Sequence, residues 1–243
     1  DTLVADVSMT DSVYWGPGWS WDDVPYSFQP YLSPLMLNRG CVDVTLTPTQ
    51  KDSLPDVTCV PASDYYQVDN DAVSFQPEAG KLEVTRNWLH QGNLIHVSGN
   101  VSKPVTKTLS INDSKHFFLH TFASRLREKG ILVSTTQLGE CPQPDSLTVV
   151  SSIYTLKRPI EEVLKQMMKE SDNLCAESMF YHLASQYANK KYVGAEDGTD
   201  AINSFMKEGL GFNPEHYKIA DGSGVALSNY VSPRVMLDYL KYA

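Results

Sequence analysis

Short apolar or alternating runs, which are typical of β-strands, occur at the start of the chain and, broken by turns, from residue 35 to residue 112. One such run opens the chain as Leu3-Val-Ala-Asp-Val. Turn residues separate the later runs, which cover residues 41–47, 57–60, 81–85, 94–97 and 106–111. Strands at a spacing of about ten residues are typical of a small all-β domain. We therefore predict a domain of sandwich or barrel type over residues 35–112.

The hydrophobic period then becomes helical. Phe117, Phe118, Phe122 and Leu126 share a helical spacing, and Gly130 follows where that helix should end. Further helices are predicted at about residues 159–168, 174–188 and 200–208, and from residue 233 onward. The apolar positions that define the two longest are Ile160, Val163, Leu164, Met167 and Met168, then Met179, Phe180, Leu183, Ala184 and Tyr187, of which the second set is predicted to face inward. A strand pair is expected at residues 131–134 and 147–151.

Two of the four cysteines flank a predicted hairpin. Folding this hairpin about residue 50 puts Cys41 opposite Cys59, as a cross-strand disulfide requires. Two small buried residues in facing strands explain the same pattern, so both interpretations stay open. Cys141 and Cys175 have no evident partner, and the absence of a Cys-x-x-Cys pair argues against a zinc ribbon.

Composition narrows the class of protein. A hydrophobic content of 42% and a charged content of 20% are ordinary for a globular chain. The net charge of -9 argues against a nucleic-acid partner, which favours a basic surface. The sequence contains no transmembrane segment, because no apolar run approaches the roughly 20 residues that one needs. No signal peptide opens the chain, so we expect any such leader outside it.

Two patterns resemble reactive sites but are better explained otherwise. His116 and His120 are four residues apart on a helix, yet no third ligand accompanies them, so we predict neither a metal nor a cofactor. The only Ser-x-x-Lys is Ser204-Phe-Met-Lys207. Its serine and lysine lie opposite the apolar face of the predicted helix, whereas a nucleophile must line a cleft. We therefore do not assign Ser204 as a nucleophile.

The tripeptide Ser-x-Asn occurs three times, at residues 98–100, 110–112 and 171–173. Only Ser171-Asp-Asn173 lies in a short connection between two amphipathic helices, where side chains can be presented rigidly. Helix capping alone would explain these residues. Asp221-Gly-Ser-Gly is a turn by its chemistry, since glycine tolerates positive φ and aspartate forms side-chain turns.

These segments occur in an order that resembles the class C low-molecular-mass penicillin-binding proteins, a family of D-alanyl-D-alanine carboxypeptidases/endopeptidases. The segments that carry the resemblance, in chain order, are Leu3-Val-Ala-Asp-Val-Ser, Gly16-Pro-Gly-Trp-Ser-Trp-Asp-Asp, Leu37-Asn-Arg-Gly-Cys-Val, Leu164-Lys-Gln-Met-Met-Lys-Glu-Ser-Asp-Asn-Leu-Cys-Ala-Glu, and Asp221-Gly-Ser-Gly with Asn229 and Ser232-Pro233. Together they span nearly the whole chain.

The resemblance implies a multidomain α+β fold, in which a second domain interrupts a penicillin-recognising α+β domain and itself carries a nested third domain. By this division, residues 1–33 and 114–149 form the second domain. Residues 34–113 form the nested β domain, and residues 150–243 return to the catalytic domain.

The implied activity is that of a periplasmic serine hydrolase that cleaves peptidoglycan stem peptides through an acyl-enzyme, and that β-lactams acylate in the intact parent. By position, Ser171 and Asn173 would be the catalytic Ser-x-Asn residues. Ser171 can relay a proton to the leaving amine, and the Asn173 amide can hold the substrate amide and the catalytic lysine. Asp23 would bind the ammonium of a diamino-acid side chain in the stem peptide.

The chain departs from the family pattern in three places. Its nucleophilic Ser-x-x-Lys block should precede Asp1 and its Lys-Thr-Gly block should follow Ala243, and neither is present. Val225-Ala-Leu227 stands where the family has Leu-Ser-Arg. We expect a fragment of the enzyme, inactive alone, whose parent carries a signal peptide. The alternative is a non-catalytic relative that binds peptidoglycan or a partner protein.

Overall fold

A computed structural model of the chain describes residues 1–140 and 151–243. The chain divides into two compact units. The first contains residues 1–5 and 21–138, and the second contains residues 6–20 and 139–243. The three-domain division derived from the resemblance stays a prediction. No helix among the described residues is long and apolar enough to span a membrane.

The first unit consists mainly of β-strands with one long helix. The strands are β1 (Thr2–Ala5), β2 (Cys41–Thr47), β3 (Asp56–Val60), β4 (Gln67–Ser74), β5 (Glu83–Arg86), β6 (Leu94–Val101), β7 (Val105–Ser110) and β8 (Thr135–Leu138), and the helix is α1 (Ser114–Glu128). They form an antiparallel sheet in the order β3-β2-β7, a mixed sheet in the order β4-β6-β5, and a parallel pair of β1 with β8.

The core of this unit follows from the alternation along the strands. Val42, Val44 and Leu46 are fully buried on one face of β2, and the α1 residue Phe117 packs into the same cluster. Because side chains of a strand point alternately to its two faces, this pattern in the sequence placed one face of β2 inward. The helix predicted around Phe117 is confirmed, and Gly130 follows it with φ at 80°.

A buried arginine ties separate segments of the first unit together. Arg86 is only 2% exposed, and its guanidinium donates hydrogen bonds to the backbone carbonyls of Ser110, Gly92 and Val24. Burial lowers the pKa of Arg86 to about 10, so the group still carries its charge at neutral pH. The carbonyl oxygens replace the water that the guanidinium loses.

The hairpin register corrects the prediction for the cysteines. Cys59 lies opposite Val44, whereas Cys41 lies opposite Ser110 on the other side of β2. The cross-strand geometry was wrong because the chain reverses later than residue 50. No disulfide joins Cys41 and Cys59. Cys141 lies outside the described residues.

The second unit is built from helices joined by turns. Its elements are α2 (Ile160–Lys169), α3 (Asn173–Ala188), α4 (Ala195–Ser204), β9 (Tyr217–Lys218), β10 (Tyr230–Val231) and α5 (Pro233–Tyr242). β9 and β10 pair in antiparallel fashion. α3 packs against α4, and the Phe180 ring lies so close to Gly198 that a Cβ there would approach it to 2.7 Å. Met206, Tyr217 and Val235 form a second small core.

Several predicted boundaries are wrong. β4 was not predicted, because its sequence Gln-Val-Asp-Asn-Asp-Ala-Val-Ser is mainly polar, yet it pairs with β6 along its length. The strand expected at residues 131–134 is instead β8, whose partner is β1. Most of its expected partner strand, residues 147–150, lies outside the described residues. The helix expected at residues 200–208 begins at Ala195 and becomes a π-helix over Phe205–Gly209.

The inward face predicted for α3 is confirmed only in part. Phe180 and Ala184 are buried, but Leu183 and Tyr187 are 45% and 53% exposed. The α2 stripe is likewise exposed at Ile160 and at the two positions that continue its face, Leu164 and Met168. Periodicity identified the apolar face of each helix, but it could not determine how much of that face is covered.

Gly99 and Gly80 offer a matched test of backbone packing in the first unit. Both have positive φ, at 92° and 83°. A Cβ at Gly99 would lie 2.2 Å from the carbonyl oxygen of Lys81, whereas a Cβ at Gly80 meets nothing within 4 Å. We expect Gly80→Ala to lower the free energy of unfolding by about 1 kcal/mol and Gly99→Ala by roughly 3 kcal/mol, because only Gly99→Ala adds a backbone clash. Urea unfolding followed by circular dichroism measures both, and equal midpoints would contradict the packing argument.

Candidate functional site

The connection between α2 and α3 presents the predicted Ser-x-Asn residues. Ser171 has φ at 55°, in the left-handed region, and ends the turn that follows α2. Asp172 is the N-cap of α3, and its side chain accepts a hydrogen bond of 3.0 Å from the backbone N–H of Cys175. Gln166 of α2 donates a second hydrogen bond of 3.1 Å to the same carboxylate. The connection is therefore short and fixed on both sides.

Asp172 caps α3, and its role therefore differs from the roles predicted for Ser171 and Asn173. Its side chain is buried, whereas Ser171 is exposed and Asn173, on the first turn of α3, is half-buried. Asp172 supplies the N-cap acceptor, and a catalytic role for Ser171 and Asn173 stays a prediction. The structure thus brings the two predicted catalytic residues together at the start of one helix.

Glu177, one helical turn after Asn173, binds the Asp221-Gly-Ser-Gly turn. Its Oε1 accepts hydrogen bonds from the backbone N–H of Gly222 at 3.1 Å and of Ser223 at 2.8 Å. The Ser223 hydroxyl donates a third, at 2.6 Å, to the same oxygen. Ser223 therefore donates both its backbone N–H and its hydroxyl to the same oxygen of Glu177.

Asp221 at the start of this turn is the second acceptor. It receives hydrogen bonds from Trp19 Nε1 at 2.8 Å, Asn229 Nδ2 at 2.7 Å and the backbone N–H of Gly224 and Ala226 at 2.8 and 2.6 Å. We call Trp19, Glu177, Asp221, Ser223 and Asn229 the polar hub of the second unit. Three segments far apart in the chain meet there: the Trp19 loop, α3 and residues 221–229.

Burial dominates the electrostatics of the hub. Glu177 is 1% exposed, and this burial raises its pKa to about 7, against the hydrogen bonds from Ser223 and Gly222. The neighbouring Asp221 adds to the rise. Among the described residues, neither Glu177 Oε2 nor the buried Tyr181 hydroxyl has a hydrogen-bond partner. Burial, with the charges of Asp11 and Glu177, also raises the pKa of Tyr181.

The sequence reasoning did not single out Glu177, although a signal was present. Glu177 lies three residues after Leu174 and three before Phe180, on the apolar side of α3. An acidic residue on the buried face of an amphipathic helix indicates that donors reach it from elsewhere in the fold. Asp221 was recognised only as a turn residue, and its role as an acceptor was missed.

The two patterns set aside in the sequence remain outside this site. Ser204 ends α4 and is half-buried, while Lys207 is exposed on the π-helix. The two histidines of α1 each pair with their own carboxylate. His116 Nδ1 lies 2.7 Å from Asp113, and His120 Nε2 lies 2.6 Å from Asp64.

Asp23 belongs to the first unit, whereas Ser171 and Asn173 belong to the second. Asp23 ends a 3₁₀ turn over Trp21–Asp23 and is half-buried. Trp21 in this turn is 68% exposed and contacts the ring of Trp88 at a centroid distance of 5.1 Å. The approach of Asp23 to Ser171 stays a prediction.

Comparison with known proteins identifies the family. The profile of the D-Ala-D-Ala carboxypeptidase 3 (S13) family matches residues 1–243. The chain belongs to this family. Its resemblance to the class C low-molecular-mass penicillin-binding proteins is thereby confirmed.

Similar sequences and structures agree with this assignment. D-alanyl-D-alanine carboxypeptidase DacB of Haemophilus influenzae is 29% identical over 99% of the chain and 50% of its own length. A D-alanyl-D-alanine carboxypeptidase of Actinomadura is 26% identical over 99% of the chain and 46% of its own length. The chain therefore spans about half the length of these relatives.

Solved structures show the fold. Penicillin-binding protein 4 of Haemophilus influenzae matches 99% of the chain and 53% of its own chain, with a TM-score of 0.78 at 24% identity. The same protein complexed with a β-lactam matches 90% of the chain and 50% of its own, with a TM-score of 0.66 at 25% identity. The mixed α/β character is confirmed, and the nested domain arrangement stays a prediction.

The raised pKa of Glu177 predicts a pH-dependent stability. Folding favours the protonated carboxyl, so this contribution is complete below the ordinary pKa of 4.5 and is lost as the pH rises through about 7. Between pH 5 and pH 8, we expect the wild type to lose roughly 2 kcal/mol of unfolding free energy relative to Glu177→Gln. Urea unfolding of both proteins at the two pH values measures this difference.

Glu208→Gln is the matched control, because Glu208 is exposed in the same unit. This variant should keep the pH dependence of the wild type. If Glu177→Gln also keeps it, Glu177 does not titrate in this range.

Proposed function

We propose that the protein to which this chain belongs is a serine-type D-Ala-D-Ala carboxypeptidase, with endopeptidase activity, that acts on peptidoglycan stem peptides through an acyl-enzyme. The observation that carries this proposal is the match of the S13 family over all 243 residues. Relatives named as D-alanyl-D-alanine carboxypeptidases and a similar protein complexed with a β-lactam support it.

In the proposed reaction, a serine hydroxyl attacks the peptide carbonyl, and the bond to the terminal D-alanine nitrogen breaks. The leaving nitrogen takes up a proton, and water then hydrolyses the acyl ester. We propose that segments of the protein outside this chain supply the nucleophilic Ser-x-x-Lys and the Lys-Thr-Gly block.

Within this chain, Ser171 relays the proton to the leaving nitrogen, and Asn173 orients the substrate amide and the catalytic lysine. Their place at a fixed helix start supports these roles, because α2 and α3 both anchor the intervening Asp172. An exposed Ser171 hydroxyl is also accessible to a substrate.

The remaining features of the proposal concern location and partners. We propose a periplasmic protein whose parent carries a signal peptide, because its substrate is peptidoglycan. No nucleic acid is expected as a partner, in keeping with the net charge of -9.

A non-catalytic relative that binds peptidoglycan or a partner protein is the second candidate. The observation that favours it is Val225-Ala-Leu227, in place of the expected Leu-Ser-Arg, with Leu227 86% exposed. A parent reading frame with an upstream Ser-x-x-Lys and a downstream Lys-Thr-Gly supports the enzyme. Their absence supports the binding module.

Removing either Ser-x-Asn side chain should slow acylation in the full-length protein. We expect Ser171→Ala and Asn173→Ala each to lower the rate of labelling by a fluorescent penicillin by roughly 100-fold. For Ser171 this is the effect of losing a positioned proton-transfer group, and for Asn173 it is the effect of misplacing the reacting groups. Stopped-flow or gel fluorescence measures this rate.

Ser98→Ala is the control, because Ser98 is exposed in another Ser-x-Asn tripeptide on β6. It should label at the wild-type rate. The isolated chain should not label at all, and labelling mapped to Ser204 would contradict our assignment. A full-length wild type that fails to label would favour the binding module.

Asp23 is proposed to recognise the ammonium of a diamino-acid side chain. In the full-length protein, Asp23→Ala should weaken turnover of a peptide with this amine by roughly 1.5–3 kcal/mol, the range for hydrogen bonds to charged groups. Penicillin acylation by Asp23→Ala should stay nearly unchanged. The control Asp22→Ala removes the exposed neighbouring carboxylate and should leave turnover of the same peptide nearly unchanged. An equal loss on a peptide that lacks the amine would show that Asp23 is not a specificity contact.

A further inference from the structure

The polar hub binds the same face of α3 that presents Asn173. Asn173 and Glu177 are four residues apart in this helix, so they lie on one side of it, one turn above the other. Oε1 of Glu177 accepts three hydrogen bonds, all from Gly222 and Ser223. The turn that begins at Asp221 is thus attached one helical turn from the predicted catalytic amide.

Steric contact limits the turn to one position on α3. A Cβ at Gly222 would lie 2.6 Å from Phe180 Cβ and 2.7 Å from the carbonyl oxygen of Ala176. The backbone of the turn therefore lies directly on α3, and only a residue without a side chain fits there. Hydrogen bonds to Glu177 and contact with the helix backbone together fix both the distance and the direction of approach.

Burying a carboxyl costs desolvation free energy, so this group suits a contact in which the position of the turn on α3 matters. An apolar side chain of similar size would fill the space, but it would leave the N–H groups of Gly222 and Ser223 without their acceptor. Hydrogen bonds in a buried network also specify one arrangement more strictly than apolar contact does. Glu177 thus fixes the turn at a single position on α3.

We propose that Glu177 is a positioning residue, which fixes the Asp221–Gly224 turn on α3 and thereby holds Ser171 and Asn173 in the orientation that acyl transfer requires. This inference rests on the proposed function of those two residues. Glu177 itself is buried and acts through the helix, without contact to substrate.

The hydrogen bonds that hold the turn do not depend on the protonation state of Glu177. Oε1 accepts hydrogen bonds in the neutral and in the ionised carboxyl, so glutamine can replace this function through its amide oxygen. The groups that face Glu177 are Asp221 from the turn and Tyr181 from α3, with Asp11 acting on Tyr181. Asp221 disfavours a negative charge on Glu177, and a glutamine at this position carries none.

The test uses the full-length protein and separates non-covalent binding of a penicillin from the acylation rate constant. We expect Glu177→Leu to lower the acylation rate constant at least roughly tenfold, since small displacements of reacting groups are costly, while non-covalent affinity stays within about twofold. Glu177→Gln should stay within about threefold of the wild type. Hydrogen exchange should accelerate at the Gly222 and Ser223 amides of Glu177→Leu only.

Val235→Ala is the matched control for general destabilisation. Val235 is buried in the second core of the same unit with Met206 and Tyr217, and no hub residue belongs to that core. Its loss should lower the unfolding temperature but leave the acylation rate constant unchanged. If Glu177→Leu is folded and acylates like the wild type, or if Val235→Ala slows acylation equally, the inference is wrong.

Two further variants keep the test decisive. If Glu177→Leu does not fold, Ser223→Ala removes one of the three donors and should lower the rate constant roughly threefold, and an unchanged rate would overturn the inference. Asn173→Ala reports on the proposed function separately. A normal rate in Asn173→Ala would refute that function, and Glu177 would then have no catalytic residue to position.

Discussion

The second unit depends on how two neighbouring carboxyl groups are removed from water. A buried carboxyl needs hydrogen-bond donors, and neither Glu177 nor Asp221 can obtain enough of them from its own segment. The hydrogen-bond donors to Glu177 belong to the Asp221–Gly224 turn, which comes after α4 in the chain. One of the donors to Asp221 is Trp19, near the start of the chain. Burying these acids therefore requires that separate segments assemble around them.

In the first unit the buried group is a cation, and it needs hydrogen-bond acceptors instead of donors. Arg86 is buried and charged, and it draws backbone carbonyls from three places in the chain toward its guanidinium. In both units, buried charged or titratable side chains fix the relative positions of separate segments. Apolar contact between these segments would stabilise them without specifying one arrangement.

The hub also relates fold to the proposed chemistry. α3 has Asp172 as its cap and Glu177 one turn further on, and the two predicted catalytic residues lie at this anchored end. Groups that transfer protons or orient a substrate must keep their place during the reaction, so a helix end held on several sides suits them. The catalytic role of this end of α3 stays a prediction.

Local pattern determined much of this protein: the helix around Phe117, the buried face of β2, and the ordered segments that identified the family. It also marked Ser171 and Asn173 as a helix start. Only the tertiary structure decided the register of the Cys59 strand, the mainly polar strand β4, and the donors of Glu177. The physical reason is common to all three. Strand register, pairing of a polar strand and burial of a carboxyl depend on partners distant in the chain, which the periodicity of one segment does not encode.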